Sequence, residues 1–346
     1  MPGAHRIRDI AEQAGLSPAT VDRVLHRRPG VSPRAVRQVE QALLDLDQQQ
    51  SQLRLGARTL MLDVVVQAPG RFSSAVRQAL EAELGSARPA AVRARFDLRE
   101  SGDVADLVDG LDRVGGRGRT SHGVLLKAPD HPDVAAAVDR LAARGIPVVT
   151  LVTDVRDCAR VAYVGLDNAS AGETAAYLVD RWLGGRPGAV LATVSRSSFF
   201  GERERREAFV ERLSQLAPQR TVVATGEADG LDASMRQVVR EALAGRPDVV
   251  AVYSIGGGNR AIVDELARAG RSDVVVVAHD LDRDNVELLR RGAVSVVLHH
   301  DLHSDMRAAV RQVLRHHRLA PGAPTSVHAT VEVVTPFNLP PRRAVR

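Results

Sequence analysis

Apolar residues recur at helical spacing from residue 7 onward, broken at places where the chain carries turn chemistry. Ile7, Ile10, Ala11 and Ala14 share one face, and Gly15 ends that pattern with the residue best suited to a left-handed cap. Ser17-Pro18 is an N-cap and first-turn pair, and it opens a second helix whose Val21, Val24 and Leu25 face inward until Pro29-Gly30 stops it. Ser32-Pro33 repeats the start signal, with Val36, Val39, Leu43 and Leu46 down one side of a third helix. Three short helices with a glycine turn between the first two predict a helix-turn-helix domain over residues 1–46.

Residues 47–59, DQQQSQLRLGART, are polar with little apolar periodicity and are expected to be a linker. From Leu60 the pattern changes. Short β-branched runs alternate with amphipathic stretches of helix length: LMLDVVV, VRARF, GVLLKA, IPVVTLV and VAYVGL, then AVLATV, TVVATG, VVAVYS, VVVVAH and VSVVLHH. Strands separated by helices predict an α/β fold of parallel sheets built from βαβ units, and ten runs predict two sheets of about five strands each.

Composition narrows the function. Hydrophobic residues make up 44% and charged residues 26% of the 346, as expected of a globular chain. Aromatic residues are only 3%, too few for a stacking platform on single-stranded nucleic acid, so any nucleic-acid partner should be a duplex. The net charge is +5, and arginine carries almost all of the basicity, Lys127 being the one lysine. Position says more than the total. Arg6, Arg8, Arg23, Arg27, Arg28, Arg34 and Arg37 face only Asp9, Glu12 and Asp22 in residues 1–37, the footprint of a phosphate-binding module. A single cysteine, Cys158, rules out an internal disulfide and a Cys-based zinc finger and fits a reducing compartment. No signal-peptide core is present and no run approaches the roughly 18 apolar residues of a membrane span, so a cytoplasmic location away from membranes is expected.

The second helix of a helix-turn-helix lies in the major groove with its N-terminal residues on base edges. In SPATVDRVLHRR, Ser17 and Thr20 offer short hydroxyls to phosphates or bases, and Arg23 can read guanine bidentately. Arg27 and Arg28 are placed to neutralise phosphates. The competing reading is a three-helix cap with solvated arginines, which would leave the agreement of spacing, caps and charge unexplained.

The stretch IRDIAEQAGLSPATVDRVLHRRPGVSPRAVRQVEQAL, residues 7–43, resembles the LacI/GalR family headpiece nearly without gaps. The resemblance implies groove-facing positions for Ile7, Pro18, Ala19, Arg23 and His26, and DNA-backbone positions for Ser17, Thr20 and Ser32. Asp22 departs from it, standing where the family usually has serine; a carboxylate there needs Arg23 or Arg27 to neutralise it, or accepts from a cytosine amino group. The linker is about four residues shorter than the family's hinge segment and has no Pro-Asn turn. Leu53 or Leu55 would be the minor-groove wedge of a hinge helix; the alternative is a flexible tether.

The remainder resembles the family's effector domain, built like a periplasmic sugar-binding protein in two lobes over residues 60–338. The lobe boundary is expected near 166 and a crossing back near 298. AYVGLDNASAGETAA, RREAF at 205–209, VVAHDL and LHHD carry the likeness. They imply a ligand cleft at the ends of parallel strands, surrounded by Arg71, Phe72, Asn168, Arg205, Asn259, Asp280 and His300. Asn, Asp and Arg supply directional donors and acceptors for hydroxyls and Phe72 an apolar face, so a sugar or polyol fits best. Each residue also has a plain structural use: Asp280 as a helix cap, Arg205 paired with Glu202 or Glu204, Asn168 in a turn.

Gly256-Gly257-Gly258 before Asn259 lacks the spacing of a nucleotide loop, though its amides would suit a phosphorylated sugar. His299, His300, Asp301 and His303 invite a metal, but no second cluster supports one, and no metal or cofactor is expected. Neither GxSxG, HExxH nor a Walker sequence occurs, which argues against an α/β enzyme with a DNA-binding tail. The expected protein is a non-enzymatic, ligand-responsive regulator that binds operator DNA as a homodimer. The C-terminal NLPPRRAVR carries no leucine heptad that would tetramerise it.

Overall fold

The computed structural model describes residues 5–55, 59–85, 90–116 and 118–339, with backbone only over 47–55. It divides into two compact units, residues 1–60 with 87–92 and the rest of the chain.

In the first unit, α1 (Ile7–Ala14), α2 (Pro18–Leu25) and α3 (Pro33–Leu55) enclose Ile10, Ala11, Ala14, Val21, Val39 and Ala42. Gly15 closes α1 at φ 64°, in the left-handed region open to glycine at little cost. The Ser17 hydroxyl accepts from the Thr20 amide at 3.2 Å, the Ser32 hydroxyl from the Ala35 amide at 3.2 Å, and both helices start at the serine-proline pairs. The polar stretch expected to be a linker is helical through Leu55, so α3 runs past residue 46. Polarity alone does not stop a helix: Gln, Leu and Arg are good helix formers, and the first breaker is Gly56.

The second unit alternates strand and helix: β1 (Thr59–Gln67), α4 (Gly70–Leu84), β2 (Ala91–Arg99), α5 (Val104–Asp112), β3 (Gly123–Lys127), α6 (Pro132–Ala143), β4 (Val148–Leu151) and β5 (Ala162–Leu166). Then follow α7 (Asn168–Leu183), β6 (Ala189–Thr193), α8 (Phe200–Leu216), β7 (Val222–Ala224), α9 (Asp232–Gly245), β8 (Val249–Ser254), α10 (Asn259–Arg268), β9 (Val275–His279), α11 (Arg283–Arg290) and β10 (Val296–His299). Last come α12 (Leu302–His316), β11 (Val327–Ala329) and β12 (Glu332–Val334).

The ten predicted runs are β1 to β10. They form two sheets, ordered β11-β5-β4-β3-β1-β2 and β12-β10-β9-β8-β6-β7. The inner strands are continuous apolar runs such as VVTL and VVAVYS and are buried throughout, as parallel strands covered on both faces must be. The edge strand β7 is only partly buried. Each sheet reverses direction of growth once, between β1 and β3 and between β6 and β8, and such switch points open a crevice at the carboxyl ends of the strands.

The chain passes between lobes three times. It leaves the first sheet after β5, returns after β10 through α12, which packs on α4, β4 and β5, and leaves again between β11 and β12. The third crossing carries no signal in the sequence, because β11 and β12 have three residues each and no usable period.

At the first crossing α7 lies against α8 so closely that a Cβ on Gly172 would sit 2.3 Å from the Arg205 carbonyl oxygen and 3.0 Å from the Phe209 amide nitrogen. Gly172→Ala should therefore cost about 1–3 kcal/mol despite its better helix propensity. Denaturant unfolding checks this, and an unchanged midpoint would mean that α7 and α8 can separate freely.

Candidate functional site: a cleft between two lobes

A cleft of about 800 Å³ opens where the strands of both sheets end. Gln67, Arg71, Phe72, Lys127 and Thr153 line it from one lobe; Ser195, Glu202, Arg205, Asn259, Asp280 and Asn285 are among the residues of the other. Five of the seven sequence-predicted positions are on its wall: Arg71, Phe72, Arg205, Asn259 and Asp280. Asn168 and His300 are not.

Both of those residues sit at crossings, where their polar atoms serve the chain itself. Asn168 accepts from Arg205 Nε at 2.7 Å and donates to the Tyr163 hydroxyl at 3.2 Å, while that hydroxyl donates to the Leu166 carbonyl at 2.8 Å. It holds the guanidinium from behind. Arg205 thus pairs with Asn168 and with neither neighbouring glutamate. His300, 1% exposed, meets Asp305 of α12 through Nδ1 at 2.5 Å and points Nε2 toward Asp280 at 3.8 Å. It ties the second crossing to the cleft wall instead of lining it. His303 turns the other way, toward Glu83 of α4. Among the described residues no group of three or more His, Cys, Asp or Glu side chains could hold a metal ion.

The loop after β9 is rigidly fixed. Asp280 has φ 65°, a conformation aspartate tolerates better than most residues. Asn285 donates to the carbonyls of His279 and Asp280 at 2.8 and 2.7 Å and accepts from Asn259 at 2.8 Å. Asp282, not Asp280, caps α11, accepting from the Asn285 amide at 2.8 Å. Val152 occupies the matching place after β4 with φ 64°, strain that a β-branched residue bears only where its surroundings enforce it.

Arg71 latches the lobes. Its Nη2 donates to the Gly230 carbonyl at 2.9 Å and its Nε lies 3.2 Å from Asp282 Oδ2. Burial raises the Asp282 carboxyl above its usual range, with the α11 amide and Arg71 opposing. The Thr153 hydroxyl accepts from the Gly201 amide at 3.0 Å and Asp130 meets Arg203 at 3.1 Å, two more contacts between lobes. Glu202 is occupied by its own loop, accepting from the Ser195 amide and hydroxyl at 2.7 and 2.5 Å.

The sequence reading missed Lys127 as a cleft residue, although two signals marked it: it is the one lysine in an arginine-rich chain, and it ends the apolar run of β3. Nζ donates to the Gln67 carbonyl at 3.2 Å and stands 4.1 Å from the Phe199 ring centre and 5.7 Å from that of Phe72. Loss of hydration pushes its pKa down to about 8, with Glu202 and Asp280 opposing the shift.

On the headpiece, Ser17, Pro18, Ala19, Arg23, His26, Arg27 and Ser32 are exposed, and Thr20 is partly so. Ile7, expected to face the groove, is partly buried and packs against the headpiece core. Asp22 is met by Arg28 at 3.2 Å and by His26 at 3.0 Å, the neighbours the α2 turn brings into reach, and not by Arg23 or Arg27. The Arg23 side chain makes no hydrogen bond or ion pair among the described residues, while its carbonyl accepts from the Arg28 amide at 2.8 Å. Arg27 ends the helix with φ 50°. Leu53 and Leu55 fall in the last turn of α3, and their side chains lie outside the described residues.

Residues 64–318 match the family described as periplasmic binding protein domain, and residues 6–48 match the bacterial regulatory proteins of the lacI family. The ribose import binding protein RbsB of Bacillus subtilis (strain 168) is 26% identical over 203 residues, 58% of this chain and 61% of that relative's length. Among solved structures, an ABC transporter solute binding protein from Burkholderia graminis C4D1M in complex with D-arabinose aligns with TM-score 0.74 at 20% identity, over 81% of this chain and 96% of that one. A glucose-galactose binding protein, GanP, from Geobacillus stearothermophilus aligns with TM-score 0.73 at 16% identity, over 82% and 99%.

The Lys127 shift has a stability consequence of definite sign. Its folded pKa, about 8, lies below the ordinary lysine value of 10.5, so below pH 8 the folded state carries a cation it solvates poorly. Lys127→Met should raise the melting temperature of the ligand-free protein at pH 7, and that gain should shrink as pH climbs from 8 toward 10.5. Melting curves of both proteins across pH 7–10.5 test it; a constant offset would mean that the ammonium is well solvated.

Proposed function

The chain belongs to the periplasmic binding protein domain family and carries a headpiece of the lacI family of bacterial regulatory proteins, and from this we propose that it is a DNA-binding transcription regulator that senses a sugar or polyol. The observation that carries the reading is one chain holding both parts: a cleft lined by Arg, Asn and Asp side chains at the ends of two mostly parallel sheets, and a helix-turn-helix whose second helix presents Ser17, Pro18, Ala19, Thr20 and Arg23 outward. On this reading the protein acts on double-stranded operator DNA as a cytoplasmic homodimer whose two recognition helices read two half-sites of a near-palindrome. No chemical step is assigned to it.

Arg205 and Asp280 supply opposite hydrogen-bonding characters to a polyol, and Asn259 and Asn285 supply both. Phe72 offers an apolar face. The effector shifts the regulator between states only by its difference in affinity for them, and DNA binding changes by the same factor. A phosphorylated sugar is the second reading, favoured by the amides of Gly256 and Gly257 on the cleft wall.

A thermal-shift screen against pentoses, hexoses, polyols and their phosphates tests the sensor, since a ligand of the native state raises the melting temperature by mass action. One sugar or polyol should give a selective shift, and Asp280→Ala should remove it. If no compound shifts the wild-type protein, the sugar-sensing reading is lost. For the headpiece, Arg23→Ala should weaken binding to a duplex operator selected from a random library by about 1–3 kcal/mol per half-site, leaving the ligand shift intact. Loss of the ligand shift as well would make Arg23 a structural residue.

A further inference from the structure

Three cations on the cleft wall, Lys127, Arg196 and Arg205, form no salt bridge among the described residues, and Lys127 and Arg205 are the two held away from water. Lys127 Nζ, between the Phe72 and Phe199 rings, has the Gln67 carbonyl as its hydrogen-bond acceptor. Arg205, 4% exposed, spends Nε on the neutral amide of Asn168. Among the described residues neither forms a salt bridge; of the carboxylates around them, Asp282 is engaged with Arg71, Glu202 with the Ser195 loop, and Asp229 with the Leu231 amide and Ser234, which leaves Asp280 facing the cleft. Aromatic faces attract a cation but supply no full charge, and an unpaired cation withdrawn from water is costly.

We propose that the effector is an acidic sugar, a polyhydroxylated monocarboxylate of the aldonate or uronate class, whose carboxylate sits against Lys127 and Arg205. This rests on the sugar-sensing reading above and names the ligand class for the same cleft. The hydroxyls of the ligand meet the Asp280 carboxylate and the amides of Asn259 and Gln67, whose Oδ1 and Oε1 atoms are buried without a donor. A single negative charge suits the site better than a phosphate dianion, because Glu202 and Asp280 both act on Lys127 from nearby.

Protonation is coupled to this contact. The charged groups acting on Lys127 are Glu202 and Asp280, which favour the ammonium, and Arg205 and Arg196, which oppose it. A bound carboxylate adds to the first pair, so the acid should bind well below pH 8 and progressively worse above it.

The test is calorimetry and thermal shift on the full chain with gluconate, galactonate, arabinonate, glucuronate and galacturonate, each beside its neutral parent sugar, and with glucose 6-phosphate. Wild type, Lys127→Met and Lys127→Arg are compared at pH 7 and 9.5. At pH 7 one acid should bind wild type at least tenfold tighter than its parent, and that preference should fall at least tenfold by pH 9.5. It should vanish in Lys127→Met and persist at both pH values in Lys127→Arg, whose side chain stays charged. Neutral parents that bind wild type as well as their acids do would overturn the acidic-sugar assignment and leave the sugar-sensing reading standing. Tighter binding of glucose 6-phosphate than of every acid would overturn the monocarboxylate, and a wild type that binds no sugar of any class would overturn both readings.

Discussion

A Cβ on Gly172 would lie 2.3 Å from the Arg205 carbonyl oxygen, so α7 and α8 pass at a distance that leaves room for hydrogen alone. Much of the cleft follows from that pass. It sets Asn168, the first residue of α7, against the Arg205 guanidinium on α8, and it fixes the start of α8, where Phe199 faces Lys127 and Gly201 reaches Thr153 of the other lobe. Interiors packed to crystal-like density do not absorb a displaced helix locally. Movement of α8 would carry Arg205, Glu202 and Phe199 with it.

The same economy governs the second lobe's remaining wall. Asn285 joins β9, the Asp280 loop and α10 through three side-chain bonds, and Asp282 is shared between the α11 cap and the Arg71 latch. His300 is hydrogen-bonded to Asp305 of α12 and turns Nε2 toward Asp280 at 3.8 Å, beyond hydrogen-bond reach. The bonds of Asn285 and Asp282 depend on one another, so this wall moves as a unit.

The charges of the cleft are balanced unevenly. Arg71 and Asp282 bridge the lobes as a pair, and Glu202 is stabilised by donors from its own turn, but Lys127 and Arg205 form no salt bridge among the described residues. On the proposal above, a complementary anion relieves the cost of holding such cations away from water. This gives differential affinity a physical source in named atoms.

The sequence by itself determined the local structure. Helical period with serine caps located three headpiece helices, and β-branched runs located β1 to β10, because these signals act within a few residues. It also pointed, through the resemblance, to Arg71, Phe72, Arg205, Asn259 and Asp280, all of which line the cleft. Only the tertiary structure decided which polar side chains face the cleft and which hold the chain crossings. Asn168 and His300 were expected at the ligand and instead hydrogen-bond within the crossings, while Lys127, noted from the sequence only as the one lysine, stands on the cleft wall. It decided too that α3 continues through Leu55, that Arg28 and His26 answer Asp22, and that β11 and β12 complete the sheets. The Asp22 pairs and the length of α3 are local outcomes that the sequence reading misjudged, whereas the roles of Asn168 and Lys127 depend on partners distant in sequence and β11 and β12 are too short to carry a period, so these rest on packing and desolvation that no local pattern encodes.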